Sequence, residues 1–167
     1  RVEASRQIVE GLITDNKVVY GITTGFGHLC NTRIEKHDLE RLQTNLIRSH
    51  ATGVGEPFAH DAVRAMIAIR VNSLLHGVSG VRPMVIQGLV DLLNHNVVPW
   101  VPQQGSVGCS GDLAPLSHIM LVLMGEGEVL GSDGRERLPA GKELEKAGLK
   151  PIQLHAKEGL ALINGTS

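Results

Sequence analysis

The sequence predicts a mainly α fold with short strands around its glycine-rich turns, and two observations carry that prediction. Apolar residues recur at helical spacing over three long stretches, His37 to His50, His60 to His76 and Pro83 to His95. Strand-like alternation is confined to short runs, the clearest lying between Glu126 and Leu138 around a Ser132-Asp-Gly134 turn.

The elements follow in chain order. Val2 to about Ile13 is amphipathic and is closed by Asp15-Asn16. Val18-Val19-Tyr20 is a short β-branched run that delivers Tyr20 to a glycine loop holding Gly21, Gly25 and Gly27. From His37, the steps Leu39, Leu42 and Leu46 lead to His50, which places His50 on the buried stripe. The next helix buries Val63, Ile67, Val71, Leu74 and Leu75 and ends at Gly77. Pro83 suits the first turn of a third helix, whose apolar face is Val85, Ile86, Leu89, Val90, Leu92 and Leu93. Three such helices are expected to pack together. Pro99 and Pro102 enforce an extended connector, and a helix from Asp112 to Met124 follows. After the hairpin come short helices near Gly141 to Ala147 and near His155 to Ile163. No repeat or domain boundary interrupts the chain.

Composition narrows the function classes. The 167 residues suffice for one domain with a real core, and 42% hydrophobic with 20% charged residues describes a soluble globular chain. A formal net charge of -1 offers no attraction to nucleic acid or an acidic membrane surface. Tyr20, Phe26, Phe58 and Trp100 are the only aromatic residues, too few for a base-stacking platform. Cys30 and Cys109 make neither a disulfide framework nor a CxxC site, so a cytoplasmic setting is expected. The longest apolar stretches, such as Ile119 to Met124, are too short to span a bilayer. His28, His37, His60, His76, His95 and His155 lack metal-ligand spacing, and neither a metal nor a nucleotide is expected. The chain opens at Arg1 in what reads as mid-helix and stops inside a motif, so both ends look cut.

Chemistry concentrates in Gly105-Ser-Val-Gly-Cys-Ser-Gly-Asp-Leu-Ala-Pro115, which has neither helical nor strand periodicity. Gly108 and Gly111 allow a sharp bend. Within Cys109-Ser110-Gly111, attack of the Gly111 nitrogen on the Cys109 carbonyl closes a five-membered ring; loss of water there and from the Ser110 side chain leaves an exocyclic alkene. That product is an electrophile of a kind no ordinary side chain supplies. The plainer alternative is a loop before a helix capped by Ser110 or Asp112.

The string GSVGCSGDLAPLSH resembles the signature of the aromatic amino acid ammonia-lyases, which build a methylidene-imidazolone (MIO) group from a tripeptide that is usually Ala-Ser-Gly. Tyr20-Gly-Ile-Thr-Thr-Gly-Phe-Gly27 is similar to that family's tyrosine loop, and Leu160-Ala-Leu-Ile-Asn-Gly-Thr166 to its asparagine motif. These motifs stand in family order and span most of the chain. The resemblance implies that residues 1–167 are the N-terminal, MIO-bearing portion of a longer helical enzyme, a homotetramer whose C-terminal helical part lies outside this sequence. It implies that MIO forms from Cys109-Ser110-Gly111, that Tyr20 is the base for the β-hydrogen, and that Asn164 binds the substrate and supports the electrophile; Asp112, directly after the tripeptide, is placed to assist cyclisation by taking a proton or to hold the bend. A phenol ordinarily titrates near pH ~10, so a tyrosine base needs activation by its surroundings. Cys109 departs from the usual Ala, but only its carbonyl enters the ring.

Ser49-His50 falls where the family contacts the substrate side chain, and histidine-specific members tend to carry Ser-His there. An imidazole recognises an imidazole well, each having a donor and an acceptor nitrogen. The expected reaction is therefore conversion of L-histidine to urocanate and ammonia. Local alternatives stay open: His50 as a hydrogen-bonded core residue, Tyr20 as a packed residue at a strand end, Asn164 as a turn or helix C-cap, and His118 as structural. With three glycines beside it, Tyr20 reads as carried on a mobile lid. Rival functions are a phenylalanine or tyrosine lyase or aminomutase of the same chemistry, a noncatalytic helical interaction module, a cysteine enzyme centred on Cys109, and a serine hydrolase. The last needs a glycine where Asp112 stands.

Overall fold

The computed structural model describes residues 1–165. Among these residues seven α-helices and two small antiparallel strand pairs form a mainly α architecture. α1 (Val2–Thr14) leads into an extended segment, a tight turn and the 3-10 turns Gly27–Leu29 and Lys36–Asp38. Then come α2 (Leu39–His50), β1 (Val54–Pro57), α3 (His60–Leu75), α4 (Pro83–Asn94), β2 (Pro102–Gln104) and α5 (Leu113–Leu123). The hairpin β3 (Glu128–Leu130) and β4 (Arg137–Pro139), then α6 (Ala140–Lys146) and α7 (Glu158–Ile163), complete the described chain. No helix among the described residues is long and apolar enough to cross a membrane.

Each long helix forms where the apolar spacing predicts, and Pro83 occupies the first turn of α4. The packing partners differ from the expected three-helix cluster. α3 packs on α4, whereas α2 packs on α5 and α7, which also pack on each other. The reason is the apolarity of α5, whose Ile119, Met120 and Val122 are fully buried and which contributes to both groups. Ile47, Ile67, Leu89, Ile119 and Leu162 meet in one continuous core.

Three local expectations need correction. Leu75 is 55% exposed, because it follows Leu74 around the helix and leaves the stripe at its end; Arg70 is buried in that stripe instead. Val18 to Tyr20 forms no strand, and the only pairing nearby is an isolated bridge between Thr24 and Arg33. His50 is half-buried at the last position of α2, where the stripe of Leu39, Gln43, Leu46 and Ile47 runs out.

Two pairings fix the course of the connector into the signature turn. The Trp100 N–H donates to the Glu128 carbonyl and the Leu130 N–H to the Val98 carbonyl, each at 2.8 Å, so the connector lies along β3. β2 then pairs with β1, Val54 opposite Gln104 and Pro57 opposite Pro102, with a register irregularity between them. The turn therefore begins where the exit of α2 and the entry of α5 are already tied together.

Candidate active site

Ser110, Gly111 and Asp112 adopt left-handed backbone angles in succession, with φ of 55°, 82° and 61°. Ser110 and Asp112 gain no relief from lacking a Cβ, so this bend is a strained conformation that its surroundings must hold. Two supports are visible. Ser106 Oγ donates to Asp112 Oδ1 across the loop while accepting the Gly108 N–H at 3.2 Å. From outside, the Gly165 N–H donates to the Ser110 carbonyl at 2.9 Å. A Cβ on Gly111 would come within 2.2 Å of the Gly165 carbonyl carbon, so no other residue fits under this turn.

Asp112 thus engages the loop rather than the helix. It precedes α5 but makes no side-chain capping bond, and neither does Ser110, contrary to the plain capping alternative. The turn does stand at the N-terminus of an 11-residue helix, whose dipole favours negative charge there. Cys109 is exposed, its Sγ 3.7 Å from Ser110 Oγ, and Ser110 is half-buried.

Asn164 lies at the exit of α7, one residue before Gly165. The asparagine motif therefore reaches the tripeptide directly, although its last residue, Thr166, falls outside the described residues. The tyrosine loop meets α7 at Leu160. Gly21, at φ 70°, sits against α7 so closely that a Cβ would lie 2.5 Å from Leu160 Cδ2. The loop is anchored rather than carried as a free lid. Gly21 to Gly25 is buried, the Thr23 hydroxyl accepts the Val19 N–H at 2.9 Å and donates to the Lys17 carbonyl at 2.6 Å, and the Thr24 hydroxyl accepts the Gly21 N–H. Tyr20 itself is 55% exposed and meets Phe26 edge to face at 6.3 Å.

His50 Nδ1 lies 2.9 Å from the Leu46 carbonyl and 3.0 Å from Ser49 Oγ, which itself donates to that carbonyl. A carbonyl only accepts, so Nδ1 carries the proton, and in the neutral ring Nε2 is the acceptor. Just beyond, the Gly53 N–H donates to His118 Nε2 at 3.0 Å, tying the exit of α2 to α5. Burial pushes the His118 pKa down, with a smaller opposing pull from Glu128.

Several residues that hold this arrangement escaped the sequence reading. Glu158, fully buried at the start of α7, accepts from the Arg82 backbone and guanidinium and from the His155 N–H at 2.7 Å. Gln43 accepts the Leu160 N–H at 3.1 Å, and Arg70 donates to carbonyls at the end of α7. Arg70 was findable: with Val63, Ile67 and Leu74 it keeps the buried helical spacing. A cleft of about 370 Å³ opens beside the turn, between Gly111, Asp112 and Gly165 on one side and Phe58, Met66 and Ile69 on the other. Tyr20 and His50 do not line it. Among the described residues no cluster of His, Cys, Asp or Glu is arranged to hold a metal.

Comparison with known proteins adds identity to this geometry. The family model for aromatic amino acid lyases matches residues 1–167. The chain is 55% identical over 166 residues to histidine ammonia-lyase of Bacillus cytotoxicus, covering 99% of this chain and 32% of that protein. It is 55% identical over 165 residues to the Geobacillus thermodenitrificans protein of the same name, with the same coverage. Among solved structures, histidine ammonia-lyase from Trypanosoma cruzi superposes with a TM-score of 0.90 at 45% identity, over 99% of this chain and 32% of that one. Tyrosine aminomutase from Streptomyces globisporus gives 0.90 at 46%, over 97% and 30%. The chain spans about a third of the length of the curated relatives it matches.

Proposed function

The chain belongs to the aromatic amino acid lyase family, and from that premise we propose that it is the N-terminal portion of an enzyme that converts L-histidine to urocanate and ammonia. The observation that carries the proposal is the run of left-handed residues Ser110, Gly111 and Asp112, held by Ser106 within the loop and by the Asn164–Gly165 turn outside it. A strained bend of this kind is maintained only where the surroundings over-determine it.

The residues fit an MIO group made from Cys109-Ser110-Gly111. Gly111 has no room for a side chain, the bend is already present, and the Cys109 thiol points to the exposed side, away from the core. When formed, the group supplies an electrophilic methylene carbon that makes the amine a better leaving group. The other roles fall to the chain itself. Tyr20 takes the proton from the β-carbon as the C–N bond breaks, the electrons of the C–H bond forming the new double bond. Asn164, through its amide, donates to the substrate carboxylate. Asp112 and Ser106 keep the tripeptide bent, and the N-terminus of α5 favours negative charge developing at the turn.

Specificity for histidine rests on His50. Its Nδ1 is engaged by the Leu46 carbonyl, which leaves Nε2 to accept an N–H, and the substrate imidazole offers one. Overall superposition does not discriminate, since an aminomutase fits as well as a histidine lyase. The two curated relatives compared above, each named histidine ammonia-lyase and 55% identical to this chain, support histidine as the substrate. We further propose a homotetrameric, cytoplasmic enzyme that acts on a small amino acid and on neither nucleic acid nor membrane.

The test is urocanate release from L-histidine by the full-length protein, with L-phenylalanine and L-tyrosine in parallel and Ser110→Ala as control. Turnover of histidine alone, abolished in the control, is expected. Turnover of another amino acid would discard the His50 assignment while keeping the electrophile, and activity independent of Ser110 would reject the chemistry.

A further inference from the structure

Arg70 is 7% exposed, yet it has no anionic partner among the described residues. Its Nη2 donates to the carbonyls of Ala161 and, at 2.7 Å, of Asn164, while its Nε has no hydrogen-bond partner among the described residues. Burial disfavours its charged form, and no carboxylate among the described residues offsets that; the charged form of the half-buried Lys157 is disfavoured by burial and in part by Arg70. Such a guanidinium is costly, and a methionine would fill the same stripe of α3 without the desolvation. Packing does not explain Arg70; what it holds does.

It holds the end of α7. The last carbonyls of a helix lack internal partners, and a cation there also meets the negative end of the dipole. α7 has six residues, too few to keep its own C-terminus in place. One residue beyond Asn164, Gly165 donates its N–H to the Ser110 carbonyl and roofs Gly111. Arg70 therefore stands one turn of chain away from the tripeptide, and with Ser106, Gly111 and Asp112 it lines the cleft beside the turn.

We propose that Arg70 is a positioning residue for the electrophile-forming tripeptide: by gripping the Ala161 and Asn164 carbonyls it keeps the Asn164–Gly165 turn pressed on Ser110–Gly111, in the bend from which ring closure proceeds. The proposal rests on the self-made electrophile described above. In that closure the Gly111 nitrogen bonds to the Cys109 carbonyl carbon, whose oxygen leaves as water with the amide hydrogens of Gly111 and Ser110. The Ser110 hydroxyl then leaves as a second water with the Ser110 α-hydrogen, so no external reagent is required.

The test uses the full-length protein and reads the mass of the proteolytic peptide spanning the tripeptide, alongside the thermal midpoint. The wild type is expected to lack two waters. Arg70→Met should mature at least tenfold more slowly at a retained midpoint, and Arg70→Lys should fall between them because an ammonium reaches one carbonyl as a point charge. Gly165→Ala keeps the Arg70 side chain but sets a Cβ 3.1 Å from the Gly111 oxygen and 3.6 Å from Arg70 Nη1, and it should slow maturation similarly. If Arg70→Met does not fold, Gly165→Ala decides. Maturation at the wild-type rate in a folded Arg70→Met protein, or in Gly165→Ala when Arg70→Met is unfolded, overturns the proposal. So does a lysine variant no faster than the methionine one. A wild type with no water loss overturns the electrophile itself, an outcome separate from the others.

Discussion

His118 shows how one side chain links the protonation state of the molecule to the geometry of its turn. Its Nε2 accepts the Gly53 N–H, so the ring must be neutral, and protonation would set one N–H against another. Burial holds its folded pKa below the ordinary value of 6.5, the nearby Glu128 opposing in part. The sign follows from linkage. Above the ordinary value the ring is neutral whether folded or unfolded, and its contribution is fully present. As pH falls below it, the unfolded chain takes a proton that the folded one refuses, and stability drains away until the folded pKa is passed. The thermal midpoint of the full-length protein should therefore fall between about pH 7 and about pH 5. His118→Gln, which can still accept through its amide oxygen but does not titrate, should flatten part of that fall. An unchanged slope in the variant would remove His118 from the account.

At the scale of elements, α7 is a short helix that depends on other helices for its place. α2 supplies Gln43 to one of its first N–H groups, α3 supplies Arg70 to its last carbonyls, and the chain before α4 supplies Arg82 to Glu158. Glu158 accepts four hydrogen bonds, from the backbone N–H groups of Arg82 and His155 and twice from the Arg82 guanidinium. Removing its charge leaves a largely buried arginine unpaired, a loss of about 3 kcal/mol or more. Glu158→Gln should lower the midpoint of urea unfolding accordingly, and Arg82→Met combined with Glu158→Leu should recover much of the difference. A Glu158→Gln protein as stable as wild type would sink this account of α7. These dependencies also explain what the sequence could and could not disclose. The faces of α2, α3 and α4 repeat their apolar residues regularly and were legible, as was the hairpin around Ser132-Asp-Gly134. The tripeptide was legible because glycine and small residues crowd where the backbone must bend, and its two companion motifs were legible through their resemblance to the family's loops. The supports were not, since Glu158 meets Arg82 and Arg70 meets Asn164 only after distant segments have packed. Leu75 and His50 were misplaced for a related reason: periodicity says which face is apolar but not where along the helix the covering neighbour ends.

The molecule as a whole presents a site with a floor and few walls. Tyr20 is more than half exposed, and Gly105 to Cys109 is exposed throughout. Val107 at 87% and Ile69 at 69% stand uncovered on the turn and beside its cleft, an apolar surface of a kind that marks a contact with more protein. An elimination that develops charge on carbon and nitrogen needs fixed dipoles in place of water, and an electrophile open to solvent has neither their help nor protection from competing nucleophiles. The curated relatives are about three times the length of the matched region, so they have chain to spare for such walls. Residues 1–167 expressed alone are therefore expected to release no urocanate from L-histidine under conditions where the full-length protein is expected to do so. The comparison is most informative when the mass of the tripeptide is read in both. A matured but inactive short chain would separate making the electrophile, which needs only the bend and its supports, from using it, which needs the enclosure. Urocanate formed by the short chain would mean that Tyr20, His50, Asn164 and the tripeptide suffice in open solvent, and the requirement for walls would be wrong.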